Sequence, residues 1–271
     1  MKSLAPILAV ALLLAACGGG AAATPSTASP TSSPSPPSAT LPPESTATSA
    51  PTDAPAACDD GSGLTEPQMQ GPYSHQIYRA FSADGETFVS DNVLLLDHAS
   101  VPDGIQRPDG EIWVYYVSGE PGQHGVFAAR EGADGDWEVV DCVRINGVFE
   151  PNAVDPDIVL LPDGRYRLFY FLGAFVGVKP EPGEPHPIYT AISDDGLNFE
   201  VEGQVFAHQN ITDPSAIYFE DGSWLMVVTS MDGAYMTRSA DGAGFELTGD
   251  SFPPGIPELM LLPDGRVRLL L

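Results

Sequence analysis

Basic residues are scarce. Eleven lysines and arginines in 271 residues face 37 acidic ones, a formal net charge of -26. A phosphate backbone is bound largely through Lys and Arg displacing counterions, so nucleic acid is excluded as an expected partner. Adhesion to an anionic membrane through a basic patch is excluded on the same ground. Cysteine is rarer still: three residues build neither a disulfide-framework miniprotein nor a four-thiolate zinc site. The apolar run 4–16 is too short for a membrane-spanning helix, which needs roughly 20 residues. No Gly-x-Ser-x-Gly supports serine hydrolysis, and the five histidines (75, 98, 124, 186, 208) show no metal-ligand spacing. What is plentiful is proline (27) and glycine (28), far too much for a helical bundle, with 43% hydrophobic residues to build a core.

The first segments carry an address. Met1-Lys2 precedes the apolar run, which ends in Leu14-Ala15-Ala16-Cys17-Gly18. The pattern fits a signal peptide over 1–16 and resembles the lipobox of bacterial lipoproteins, which implies diacylglycerol on Cys17 as the first mature residue. Residues 18–57 are almost entirely Ala, Gly, Pro, Ser and Thr, with Leu41 the one sizeable apolar side chain. Such a stretch cannot bury enough surface to offset its ordering entropy. The expectation for 17–57 is an acylated cysteine on a disordered stalk, up to about 120 Å long if fully polyproline II. It would hold an extracytoplasmic monomer whose membrane contact is the lipid anchor alone. Cys58 and Cys142 then form an even pair in an oxidising compartment, which favours a disulfide.

The remainder, 58–271, repeats. Asp109-Gly110, Asp163-Gly164, Asp221-Gly222 and Asp264-Gly265 each sit between two apolar runs, 54, 58 and 43 residues apart. Asp-Gly between strand-like runs is a hairpin signal. A second set interleaves with it: Asp84-Gly85, Asp134-Gly135, Asp195-Gly196 and Asp241-Gly242, each followed by Phe88, Trp137, Phe199 or Phe245. Four short strands per unit of about 50 residues predict an all-β propeller. The chain enters on the third and fourth strands of a unit and leaves on the first and second. Pairing those ends would close four blades. The alternative is an incomplete five-bladed wheel.

Asp213-Pro-Ser-Ala-Ile-Tyr-Phe-Glu-Asp-Gly-Ser-Trp and Asp155-Pro-Asp-Ile-Val-Leu-Leu-Pro-Asp-Gly resemble blades of the arabinanase, β-xylosidase and levansucrase-like propeller glycosidases. The Ser-x-Asp-Gly turns are similar to sialidase Asp-boxes, one residue shorter. Aligning the units on their first turn brings Pro102, Pro156, Pro214 and Pro257 into register, with Asp103, Asp155, Asp157, Asp213 and Glu258 beside them. Inner strands of a propeller run the same way along its channel, so these five acids are expected around one mouth. The resemblance implies that Asp103 or Asp155 acts as base, Asp213 tunes, and Glu258 is the acid. Such an enzyme would cleave extracellular polysaccharide, with Glu258 some 5–10 Å from its partner carboxylate and Asp213 close to Glu258.

Two other readings stay open at this stage. The rim is a non-catalytic site for a glycan or other ligand, or the acids hold Ca²⁺, which takes six to eight oxygens. A sialidase reading needs converging arginines. Arg165, Arg167, Arg266 and Arg268 lie instead on second strands, where pairing with surface acids is expected. Trp113, Tyr115 and Tyr116 suit a core better than a sugar-stacking platform.

Overall fold

The computed structural model describes residues 58–66, 71–83, 85–173, 184–262 and 264–271. The signal peptide, Cys17, the stalk and Asp84 lie outside the described residues. Among those described, no helix is long and apolar enough to cross a membrane. Apart from one 3-10 turn, Gly71–Ser74, the elements are strands.

β1 (Gln76–Phe81) and β2 (Val89–Asp97) form a two-stranded sheet. β3 (Ala99–Gln106), β4 (Ile112–Ser118), β5 (Gly125–Glu131) and β6 (Trp137–Cys142) form an antiparallel meander. β9 (Ala153–Leu160), β10 (Tyr166–Leu172), β11 (Pro185–Ser193) and β12 (Asn198–Gln209) repeat it. So do β13 (Thr212–Tyr218), β14 (Trp224–Ser230), β15 (Gly233–Ser239) and β16 (Glu246–Phe252). β17 (Glu258–Leu261) and β18 (Val267–Leu270) close the series as a second two-stranded sheet. An unpredicted hairpin, β7 (Arg144–Ile145) and β8 (Val148–Phe149), extends the middle sheet by parallel pairing of β7 with β12.

The Asp-Gly turns work by one device. Asp109, Asp163, Asp221 and Asp264 each accept, through Oδ1, the backbone N–H two residues on, at 3.0–3.1 Å. This Asx geometry sets up a glycine in the left-handed region, as at Gly164 (φ 88°). The inner strands β3, β9, β13 and β17 lie side by side in chain order. Hydrophobic layers fill the spaces between sheets: Trp113, Tyr115, Tyr166 and Leu168 in one, Phe169, Phe171, Trp224 and Met226 in the next, Ile217, Val227 and Leu259 in a third. Trp113, Tyr115 and Tyr116 are buried core, each adding about 1.5–3 kcal/mol.

Arginines bridge neighbouring sheets. Arg107 lies over Trp113 (4.1 Å) and Tyr166 (5.0 Å) and donates to the Asp195 carbonyl of the next sheet at 3.0 Å. Arg167 pairs with Glu202 at 2.7 Å and covers Trp224 of the following sheet. Arg165 and Arg266 pair with Asp163 and Asp264.

The expected four-blade closure is not formed among the described residues. β18 and β1 belong to separate sheets. Arg268 of β18 reaches the Gly85 carbonyl and Glu86 in the β1–β2 turn, just as Arg107 reaches its neighbour. That is a contact between adjacent sheets rather than within one. Cys58 and Cys142 are joined by a disulfide that ties the start of the domain to the end of β6.

Candidate active site

Three of the four inner strands, β3, β9 and β13, are irregular where they carry their acids. The residue before the proline is left-handed in each of them: Val101 (φ 44°), Asp155 (φ 52°) and Asp213 (φ 46°). Pairing with the neighbouring strand slips at the same places, between Ser100 and Asp103 and between Thr212 and Ser215. A β-branched residue such as Val101 at positive φ is a real outlier, and strain of this kind persists only where the surroundings enforce it. Its effect is to re-aim the side chains flanking the proline.

All five predicted acids line one cavity of about 630 Å³, walled also by Val101, Val154, Phe171 and the four aligned prolines. They form two groups rather than the single rim expected. The residues after the prolines make the first group: carboxylate oxygens of Asp103, Asp157 and Glu258 lie within 4.8 Å of one another. The residues before the prolines make the second: Asp155 Oδ2 accepts the Asp213 backbone N–H at 3.2 Å, and Thr212 Oγ1 donates to Asp213 Oδ2 at 2.6 Å.

Members of the first group also fasten the sheets. Asp103 Oδ2 accepts the Ile158 N–H at 2.6 Å, Asp157 Oδ2 the Ala216 N–H at 3.1 Å, and Ser215 Oγ the Leu259 N–H at 2.9 Å. Asp103, Asp157 and Ser215 are the same position in successive repeats, so the bond recurs from sheet to sheet.

Burial raises every one of these acids. Burial lifts Asp103 to about 7 against two backbone donors. Asp155 is pushed to about 8 by burial and then by Asp213. Asp157 rises well above the carboxylate range through burial, Asp103 and Glu258. Asp213 is raised by burial, opposed by the Thr212 hydroxyl. Burial and then Asp103 bring Glu258 to about 8. Near neutral pH the cavity therefore holds carboxyl groups able to donate protons.

One expectation needs correction. Asp213 sits against Asp155, and the repulsion on Glu258 comes from Asp103. Asp103 and Glu258 both follow their prolines and so fall in one layer, with carboxylate oxygens within 4.8 Å. The 4.8 Å trio is the oxygen-only set suited to a hard cation, offering three of the six to eight oxygens Ca²⁺ takes. A second cluster, Cys58, Asp141 and Cys142, has its thiols consumed in the disulfide.

His75, Ser100 and Phe171 also line the cavity and were missed. The signal was present: His75 and His186 each stand ten residues before the glycine of a second-set turn, and His124 eleven.

No protein-family model matches the sequence, and no curated protein is similar to it. Solved structures do resemble the domain. One is a protein of unknown function from Dyadobacter fermentans (20% identity, TM-score 0.52, 70% of this chain and 62% of that one). Another is a thermostable family-43 glycoside hydrolase (14%, 0.56, 70% and 73%). A third is an endo-arabinase from Bacteroides thetaiotaomicron (12%, 0.53, 72% and 80%). At such identities the likeness is one of fold: the described residues form an all-β propeller of the architecture seen in those glycoside hydrolase structures.

Proposed function

We propose that the protein is a lipid-anchored, extracytoplasmic propeller that hydrolyses glycosidic bonds of an extracellular polysaccharide in the acid-lined cavity. The observation that carries this reading is the convergence of five carboxyl groups from four consecutive inner strands on one cavity; burial raises all five above the ordinary carboxylate range. Glycoside hydrolysis needs a protonated acid at the leaving oxygen and a second carboxylate to act as base or nucleophile. Glu258, held protonated beside Asp103, is the donor. Asp155 and Asp213 resist double ionisation and share one proton, so the ionised member of the pair supplies the second role. The propeller architecture found in the family-43 hydrolase and the endo-arabinase supports the reading.

The test is product analysis on arabinan, xylan and levan. Glu258→Gln keeps the shape and removes the proton donor, so turnover falls ~10²-fold or more. Unchanged turnover in both Glu258→Gln and Asp155→Asn would overturn the assignment, as would absence of product from every polymer. For the anchor, Cys17→Ser releases the protein from the membrane fraction; a variant that stays acylated defeats that part.

The 4.8 Å trio favours a second reading, a non-catalytic propeller holding a divalent cation. Millimolar Ca²⁺ would then raise the melting temperature of the wild type and leave Glu258→Gln unmoved. No calcium effect on the wild type removes this reading.

A further inference from the structure

Two histidines flank the cavity by a repeated arrangement. His75 stands at the head of β1 and His186 near the head of β11, equivalent positions in their repeats. Each ring is anchored through Nδ1 on the chain at the head of an inner strand: His75 on Ser100 Oγ at 2.8 Å, His186 on the Ile211 carbonyl at 3.0 Å. Among the described residues no hydrogen bond engages either Nε2. His75 is exposed and lines the cavity directly. His186 stacks on Phe171, a cavity wall, with ring centres 5.3 Å apart and planes at 23°. The surface continues outward, because His208 is the cross-strand partner of His186 and packs on Tyr235 at 5.3 Å. His186, His208 and Tyr235 are all half-buried.

We infer that His75 and His186 are ligand-contacting residues of an extended recognition rim, and that the rim takes a neutral glycan chain several sugars long. A ring nitrogen with fixed orientation bonds a sugar hydroxyl, while ring faces take the apolar faces of a sugar. Neutrality follows from the lining: among the described residues five carboxyl groups and neither lysine nor arginine face the cavity. A uronate or sulfated polymer would meet carboxyl groups and no guanidinium. Length follows from the path, which leaves the cavity at Phe171 and runs by His186 and His208 to Tyr235 without returning to the acids. This inference rests on the carbohydrate reading of the cavity and adds the charge and length of its ligand.

The experiment measures binding, independent of turnover, by calorimetry with arabinan, xylan and levan oligosaccharides of one, three and six units. Polygalacturonate is the anionic control. His75→Ala and His186→Ala are each expected to weaken the six-unit ligand about tenfold; His186→Ala leaves the single sugar unchanged, and polygalacturonate does not bind. His75→Gln and His186→Gln, which keep an amide able to bond a hydroxyl, recover part of the loss. They also guard against misfolding in the alanine variants, checked by melting temperature. Equal loss at every length in His186→Ala overturns the rim, as does unchanged affinity in both alanine variants or tight binding of polygalacturonate. If the wild type binds none of the neutral sugars, the carbohydrate reading itself fails. Binding that ignores the histidines sinks only the rim.

Discussion

Asp155 and Asp213 face each other across neighbouring inner strands, the backbone N–H of one meeting a carboxylate oxygen of the other at 3.2 Å. Two acids so placed, Asp155 buried and Asp213 half-buried, make the native state hold a proton that the unfolded chain releases.

The sign of the pH dependence follows. Asp155 is raised from the usual carboxylate range to about 8. Below about pH 4 both states are protonated and the group contributes no difference. Between there and about 8 the native state binds more protons than the unfolded one, so stability falls as pH rises. The melting temperature is expected to be several degrees higher at pH 5 than at pH 8.5. Asp155→Asn should flatten that slope, and a thermal scan across this range checks it.

Asp157 has a second duty as the acceptor for the Ala216 N–H. Asp157→Ala leaves that buried donor without its partner and should cost about 1–3 kcal/mol in urea unfolding. Asp157→Asn keeps an acceptor oxygen and removes the charge that opposes Asp103 and Glu258. It should be at least as stable as the wild type at pH 8.

Gly242 and Gly164 separate strain from crowding. Both have positive φ, 78° and 88°. A Cβ at Gly164 meets open space, whereas one at Gly242 collides with the Arg167 guanidinium and comes within 2.8 Å of Trp224 Nε1. Gly164→Ala is expected to cost about 1 kcal/mol from backbone strain. Gly242→Ala should cost more, because it also dislodges the arginine bridge between sheets. Chemical denaturation of the two variants side by side decides this.

The disulfide closes a separation of 84 residues. Reduction, or the double variant Cys58→Ser and Cys142→Ser, should lower stability by about 2–5 kcal/mol. A melting temperature unaffected by reductant would show that the start of the domain adds nothing to its cooperativity.

Much of this architecture was legible because it is local. Asp109-Gly110 and its three counterparts announce their hairpins through side-chain-to-backbone bonds spanning two residues. The four prolines set the register that brings Asp103, Asp155, Asp157, Asp213 and Glu258 together. What stayed hidden depends on contacts between distant strands. The left-handed turn at Asp155 and Asp213 splits the acids into two layers, and nothing in Asp-Pro announces it. The pairing of Arg144 and Ile145 with β12 and the meeting of Arg268 with Gly85 are likewise invisible until the sheets stand side by side. The histidines were legible in principle, through their spacing from the turns.

The recurring bond from Asp103, Asp157 and Ser215 to the next inner strand gives the wheel a direction. At each of these three joints a side-chain oxygen accepts a backbone N–H of the next inner strand, a carboxylate at the first two and the Ser215 hydroxyl at the third. Excising β13–β16 as a whole would set Asp157 against Leu259, an acceptor against the N–H that Ser215 now serves. A cut inside a sheet would strand one group at each side. A boundary between sheets thus coincides with a complete coupling, and a boundary inside a sheet does not.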